Sequence, residues 1–306
     1  MSARIKALRT RTKVFLGVGL WLALTAATVV VAGIGSRNDE FKPQEEFRLD
    51  PWIPIQIGPL DLSINKAVVY LLAAGVLTTV TMTWLARRME ARPNRVQTAV
   101  ETIYGFMRDN ITRDNLDREM AAKWFPFLAA LFLFIWFSNL LGYIPLPTNT
   151  HETVSVAGLE IPSFALYAAT ANLSVPLVLA LVVWLSYTFV GLRKKGPIGY
   201  LKALVPDGVP AALRPFIFVL ECFSQLMRLV SLSVRLFANI LAGHLIILFM
   251  SGALAVILGI AAVGVFTLPF GIAIFVFEVG LVATLQAFIF ATLTAIYLGE
   301  ASAAHH

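Results

Sequence analysis

Apolar residues fall in blocks at about 14–34, 67–86, 124–145 and 164–192, and then run almost unbroken from 216 to 298. Each of the first four blocks is long enough for a helix to cross a hydrocarbon core of about 30 Å. The last is far too long for one crossing and reads as an outgoing helix and its return. The pattern predicts an all-α polytopic membrane protein with six transmembrane helices, the last two long, tilted and arranged as a hairpin. Between the second and third blocks the period changes. Val96, Val100, Ile103, Met107 and Ile111 are spaced to lie on one helical face, with Arg95, Glu101, Arg108 and Asp109 around the remainder. From Pro93, suited to a first helical turn, to about residue 112, this predicts an amphipathic helix on the membrane surface rather than a crossing. The segment 37–63, with Pro43, Pro51, Pro54 and Pro59, reads as an outer loop with Trp52 as its interface anchor, and 153–161 alternates as a short hairpin does.

Composition supports lipid as part of the solvent: hydrophobic residues make up 58% and charged residues 14%, with a mean hydropathy of +0.79. The single cysteine excludes a disulfide framework, and histidines at 151, 244, 305 and 306 have no paired ligand spacing. Gly191 to Gly196 approaches a phosphate loop, but Pro197 stands where a lysine is required, so neither nucleotide nor cofactor binding is expected.

The net charge of +6 is unevenly spread, and the spread points to topology rather than to nucleic acid. Of the 24 Lys and Arg residues, five lie in the N-terminal tail (Arg4, Lys6, Arg9, Arg11, Lys13), eight in 87–123 and five in 193–214. Segment 35–66 carries six acids against four bases, and 146–163 carries Glu152 and Glu160 with no base. The positive-inside rule places both termini, 87–123 and 193–214 in the cytoplasm. The first block has a rival reading as a signal peptide, with Val30 and Ala32 suiting a cleavage site; its apolar run of about 20 residues favours a retained anchor.

The candidate chemistry begins at Arg214. Glu221, Ser224, Arg228, Ser231, Arg235 and Asn239 follow at spacings of three, four, three, four and four, which places all six on one side of a helix. An arginine deep in a membrane costs several kcal/mol or more unless it faces protein or water. Because a guanidinium stays charged, Arg235 cannot relay protons; it can hold a neighbouring carboxylate ionised. Its partner is Glu278 or a carboxylate on another polypeptide, and a purely structural salt bridge is the plain alternative. His244 lies nine residues beyond Arg235, half a turn round the helix, so it points away from the stripe. A returning helix would bring Glu278 beside His244, whose plain alternative is a core histidine donating to a carbonyl. Two polar zones on opposite sides of one helix suggest two aqueous entries that do not meet.

The run Ser231-Leu-Ser-Val-Arg235-Leu-Phe-Ala-Asn239-Ile-Leu-Ala-Gly-His244-Leu-Ile, followed by Thr284-Leu-Gln286-Ala-Phe-Ile-Phe and Leu293-Thr-Ala-Ile-Tyr297-Leu, resembles subunit a of F-type ATP synthases. The resemblance extends from about residue 65 to 300. Outside the family's usual core, the residue pattern itself gives 1–34 as a cytoplasmic tail and extra anchor (or signal peptide), 35–66 as an outer loop and 301–306 as a C-terminal tail; the resemblance implies 67–300 as the proton-channel domain. It further implies a proton-conducting stator subunit without a site for ATP chemistry. Its partners would be a ring of c subunits, the subunit b peripheral stalk and the rest of the synthase; the length and the charged N-terminus favour a bacterial inner membrane as the location. By the resemblance, Arg235 ionises passing ring carboxylates and blocks a leak between half-channels. Asn239 and Gln286 are its polar neighbours, and Glu221, Ser224 and Ser231 lie on the cytoplasmic half-channel side. His244 and Glu278 line the outer half-channel, a pairing that favours protons over sodium as the coupling ion. Arg228 reads as a structural or interfacial charge. One departure is that Glu278 precedes Gln286 by eight residues where seven are expected, which calls for a local bulge or a shifted role. A proton-coupled secondary transporter is the main competing reading; the absence of an internal repeat counts against it.

Overall fold

The computed structural model describes residues 2–32, 49–87 apart from 59 and 62, 95–147, 153–156, 159–162, 164–206 and 208–303. Pro43, Pro59, Pro93, His151, Glu152, His305 and His306 lie outside the described residues. The helices are α1 (Ser2–Ala32), α2 (Lys66–Arg87), α3 (Arg95–Phe106), α4 (Arg118–Leu141), α5 (Ser174–Ala203), α6 (Arg214–Leu248), α7 (Leu254–Leu258), α8 (Ala261–Phe277) and α9 (Ala283–Ser302). Five helical stretches are long and apolar enough to cross a membrane: Lys66–Leu85, Arg118–Leu141, Ser174–Ala203, Arg214–Leu248 and the continuous Ala261–Ser302. A shorter apolar helix, Phe15–Val31, lies within α1. The fold is all-α and polytopic, with small antiparallel pairings confined to the connecting segments. The expected hairpin is one of them, Thr153–Val156 against Leu159–Pro162.

The chain forms two compact units, residues 1–48 with 242–280, and residues 49–241 with 281–306. In the larger unit α9 is the central element. Ala283, Ala287, Ala291 and Ala295 recur every four residues and are fully buried, so one side of α9 is a stripe of small residues that lets neighbouring backbones approach closely. Helices α4 and α5 pack on α9, and α2 packs on α4. Polar side chains join these elements. Asn139, buried on α4, donates to the Ala283 carbonyl at 3.3 Å and accepts from the Thr170 hydroxyl at 2.8 Å, and the Trp136 indole donates to the Thr284 hydroxyl at 3.0 Å. In hydrocarbon each of these groups would carry a desolvation cost without such a partner.

The surface helix departs from simple amphipathy. After Phe106 the chain widens into a π-helical segment, Met107–Arg113, whose Met107, Ile111 and Thr112 are buried against α4 and α9. The apolar face read from the sequence is therefore covered by the chain itself over its second half. Gly299 lies close to this packing, because a Cβ there would stand 2.6 Å from the Asn115 carbonyl oxygen.

The fourth apolar block is corrected by the structure. Its first ten residues, 164–173, are not α-helical; α5 starts at Ser174. Tyr167, Ala168, Ala169, Thr170 and Ala171 are instead buried in an irregular segment with one 3₁₀ turn, Ala169–Ala171. The turn bonds Ala171 N–H to the Ala168 carbonyl at 3.0 Å, and the Asn172 side chain accepts from Ser174 N–H at 3.0 Å to open the helix. Burial, then the nearby Tyr70, pushes the Tyr167 hydroxyl well above its ordinary range. Its ring carries the Lys66 ammonium at 4.8 Å. Further along α5, Gly196 takes φ 71° and breaks the helix, and Pro197 starts the next turn. The positive φ explains the glycine, and the bend lays the Tyr200 ring against Gly191, where no side chain fits.

In the smaller unit the chain reverses between α7 and α8 at Gly259, whose φ of 66° is a left-handed helix cap. Helix α8 packs against α7 and against the π-helical turn Phe249–Ala253 that precedes it. Gly271 permits the approach, with Met250 backbone 3.3 Å from where a Cβ would sit. Helix α1 packs on α8 through Trp21, whose ring stacks on Phe266 at 5.0 Å and whose indole donates to the Val265 carbonyl at 2.9 Å.

Candidate functional site

Helix α6 is 35 residues long, roughly 52 Å, and is α-helical throughout. Leu232, Leu236 and Ile240 repeat every four residues and are buried, at 3%, 1% and 0% exposure. Ser231, Val234, Arg235, Ala238 and Asn239 fall on the other side and are exposed. Arg235 makes no hydrogen bond or ion pair among the described residues, so nothing there supports its reading as a structural salt bridge.

The six-residue stripe divides in two. Ser231, Arg235 and Asn239 are exposed, whereas Glu221, Ser224 and Arg228 are half-buried. Glu221 and Arg228 line an open cavity of about 360 Å³, together with Tyr187, Gln225, Tyr297 and Glu300. In it the Arg228 guanidinium donates to Glu300 Oε2 at 2.6 Å and lies 4.9 Å from the Tyr297 ring centre. The Tyr187 hydroxyl donates to Gln225 Oε1 at 2.7 Å. Arg228 is thus held in an ion pair within the subunit, as a structural charge would be, while Ser224 and Ser231 are not part of the cavity lining. Glu221 lines the same open space.

Tyr187, Gln225 and Glu300 were missed in the sequence pattern. One signal was available: beyond Glu221 the chain contains only two acids, Glu278 and Glu300. A base as deep as Arg228 therefore had few partners to choose from.

His244 and Glu278 are both buried, at 3% and 7% exposure. The returning helix sets the Glu278 carboxyl directly against Gly243, the residue before His244, where any Cβ would overlap the carboxyl group. Glu278 opens a π-helical turn, Glu278–Val282. Such a turn holds one residue more than an α-helical one, which accounts for the spacing of eight from Glu278 to Gln286. Gln286 is buried at 5% exposure on α9 and makes no hydrogen bond with Arg235 or Asn239 among the described residues.

The Gly243 contact carries an expectation. Gly243→Ala should leave the chain in the membrane, because the overlapped atoms are the mobile end of a side chain. It should displace the Glu278 carboxyl and slow proton flux severalfold. ATP-driven acidification of inverted vesicles measures this; wild-type rates would show that the position of Glu278 does not matter.

Residues 68–299 match the family model described as ATP synthase A chain. The chain belongs to that family. A relative described as ATP synthase subunit a from Parvibaculum lavamentivorans is 35% identical over 263 residues, covering 85% of this chain and 92% of the relative. Another of the same description, from Pelagibacter ubique, is 34% identical over 262 residues, covering 86% and 96%. A third, from Maricaulis maris, is 35% identical over 265 residues, covering 85% and 96%. As a member of the ATP synthase A chain family this protein is a non-catalytic, proton-translocating subunit of the Fo sector, and its long apolar helices make it a multi-pass membrane protein. The matched span takes in Glu221, Arg235, Asn239, His244, Glu278 and Gln286.

Proposed function

We propose that this subunit is the stator of a rotary proton path, supplying two aqueous half-channels to a ring of c subunits with Arg235 fixed between them. The observation that supports this reading most strongly is the exposure of Arg235, Asn239 and Ser231 on an apolar helix of membrane-spanning length. A guanidinium there must be covered by something polar, and a passing ring carboxylate has the right charge. As such a carboxyl reaches Arg235, the fixed cation favours its ionised form and its proton departs. Since Arg235 holds its own proton at any working pH, it separates the two paths instead of joining them.

The cavity beside Glu221 serves the cytoplasmic side in this proposal, and His244 with Glu278 serves the outer side. Asn239 and Gln286 tune the polarity near Arg235, and Ser224 and Ser231 offer hydroxyls along the cytoplasmic approach. Residues 67–300 form the channel domain, 1–34 an added anchor, 35–66 the outer loop and 301–306 the tail. Subunit b holds the chain against the turning ring. The location in this proposal is a bacterial inner membrane, and the clustering of Lys and Arg in 87–123 and 193–214 supports cytoplasmic termini.

Partner dependence is the test against a secondary transporter. The purified subunit in liposomes should pass no protons beyond the lipid background, and the complex with its ring should pass them under an imposed potential. Solute uptake by the subunit alone would instead establish the transporter reading.

A further inference from the structure

A second cavity, of about 640 Å³, opens where the π-helical segment meets the start of α4. Arg108, Arg113 and Arg118 line it, with Tyr104, Leu116 and Phe125 supplying apolar wall, and no carboxylate is among the lining residues. Arg118 is the first residue of a 24-residue membrane-spanning helix, so it stands at the headgroup level, and Phe125 lies two turns further in. The Tyr104 ring meets the Phe125 ring edge-on at 4.9 Å, bracing that wall. Arg113 is held by Asp109, Nη1 to Oδ1 at 3.0 Å, which leaves further N–H groups of its fork available. Arg108 and Arg118 make no ion pair among the described residues. None of these three arginines has a part in the proton path.

We infer that this cavity is a binding site for an anionic phospholipid, its phosphate held by Arg108, Arg113 and Arg118 and its glycerol end lying along Leu116 and Phe125. Three arginines line one open space, and planar guanidinium forks match phosphate oxygens in pairs. Apolar walls leading toward the hydrocarbon suit the start of acyl chains, and basic pockets on the cytoplasmic side of membrane proteins take such headgroups. A free phosphate shares the headgroup chemistry but would gain nothing from the apolar wall.

The complete complex, reconstituted in phosphatidylcholine vesicles holding a small fraction of photoactivatable phosphatidylglycerol, tests the site by mass spectrometry of the cross-linked peptides. Labelling is expected within 104–125, severalfold above that from photoactivatable phosphatidylcholine. Unlabelled phosphatidylglycerol should suppress it, and inorganic phosphate should not. The R108Q/R113Q/R118Q variant should lose most of the labelling, and the single variant R108Q covers failure of the triple variant to assemble. Equal labelling by phosphatidylcholine, or labelling unchanged in both variants, would overturn the proposal. Suppression by inorganic phosphate would replace the lipid by a free anion. Loss of another subunit from the variant complex, with lipid labelling intact, would make the patch a protein contact.

Discussion

Arg235→Ala is expected to abolish ATP-driven proton pumping while leaving the complex assembled. The side chain is exposed and makes no contact by hydrogen bond or ion pair among the described residues, so its removal breaks nothing inside the subunit. It also removes a charge that is costly in a membrane. The chain should therefore be retained at wild-type levels. On the proposed path, what is lost is the fixed cation opposite the ring, without which a carboxyl in an apolar setting keeps its proton. Pumping in inverted vesicles, read with a pH-sensitive dye and normalised to the amount of assembled complex, should fall to background. Arg235→Lys should restore little, since an ammonium is a point charge with neither the planar fork nor the delocalised charge of a guanidinium. Coupled pumping retained in the alanine variant would place Arg235 outside the path.

The largest effect on folding is expected at Gly142, which follows α4. A Cβ at this position would stand 2.7 Å from the Ala168 Cα and overlap the Ala168 side chain. Ala168 belongs to the buried irregular segment, and its backbone is held by the 3₁₀ turn and the Asn139–Thr170 bond. Neither side has a flexible group that can swing away. Overpacking of this kind costs about 1–3 kcal/mol where a core can adjust, and more where the obstacle is backbone. Gly142→Val should therefore sharply reduce the subunit recovered in membranes and in the complex. Normal recovery would mean that the 164–173 segment can move aside. The contrast with Gly243→Ala is informative, because there the obstacle is a mobile carboxyl, and function should suffer rather than assembly.

Much of this architecture is legible in the sequence because hydropathy blocks and their charged boundaries report directly on lipid. The stripe on α6 is legible for a related reason: a polar residue every three or four positions has few explanations in an apolar helix. The segment 164–173 is not legible, since Tyr167, Ala168 and Ala169 are as apolar as a crossing and only the tertiary packing decides that they form a buried loop. The Arg228–Glu300 pair, which joins residues 72 positions apart, is legible only in part: the scarcity of acids beyond Glu221 narrows the partner to two, and tertiary packing chooses between them. The eight-residue interval before Gln286 did announce an irregularity. Composition does not say that it takes the form of a π turn at Glu278, because a widened turn uses the same residues as an α-helical one.

In the proposed path the Arg235 face of α6 meets the ring, and disulfide cross-linking measures that contact most directly. The native cysteine, Cys222, is exposed and is first replaced by serine. Single cysteines at Ser231 and Asn239, on the exposed face, are then compared with cysteines at Leu232 and Ile240, on the buried face. Each is oxidised in membranes carrying a ring cysteine at matching depth. Ser231→Cys and Asn239→Cys should form the heterodimer with a ring subunit, and Leu232→Cys and Ile240→Cys should not. Cross-linking confined to the 232 and 240 positions, or absent from 231 and 239 in assembled complex, would contradict it.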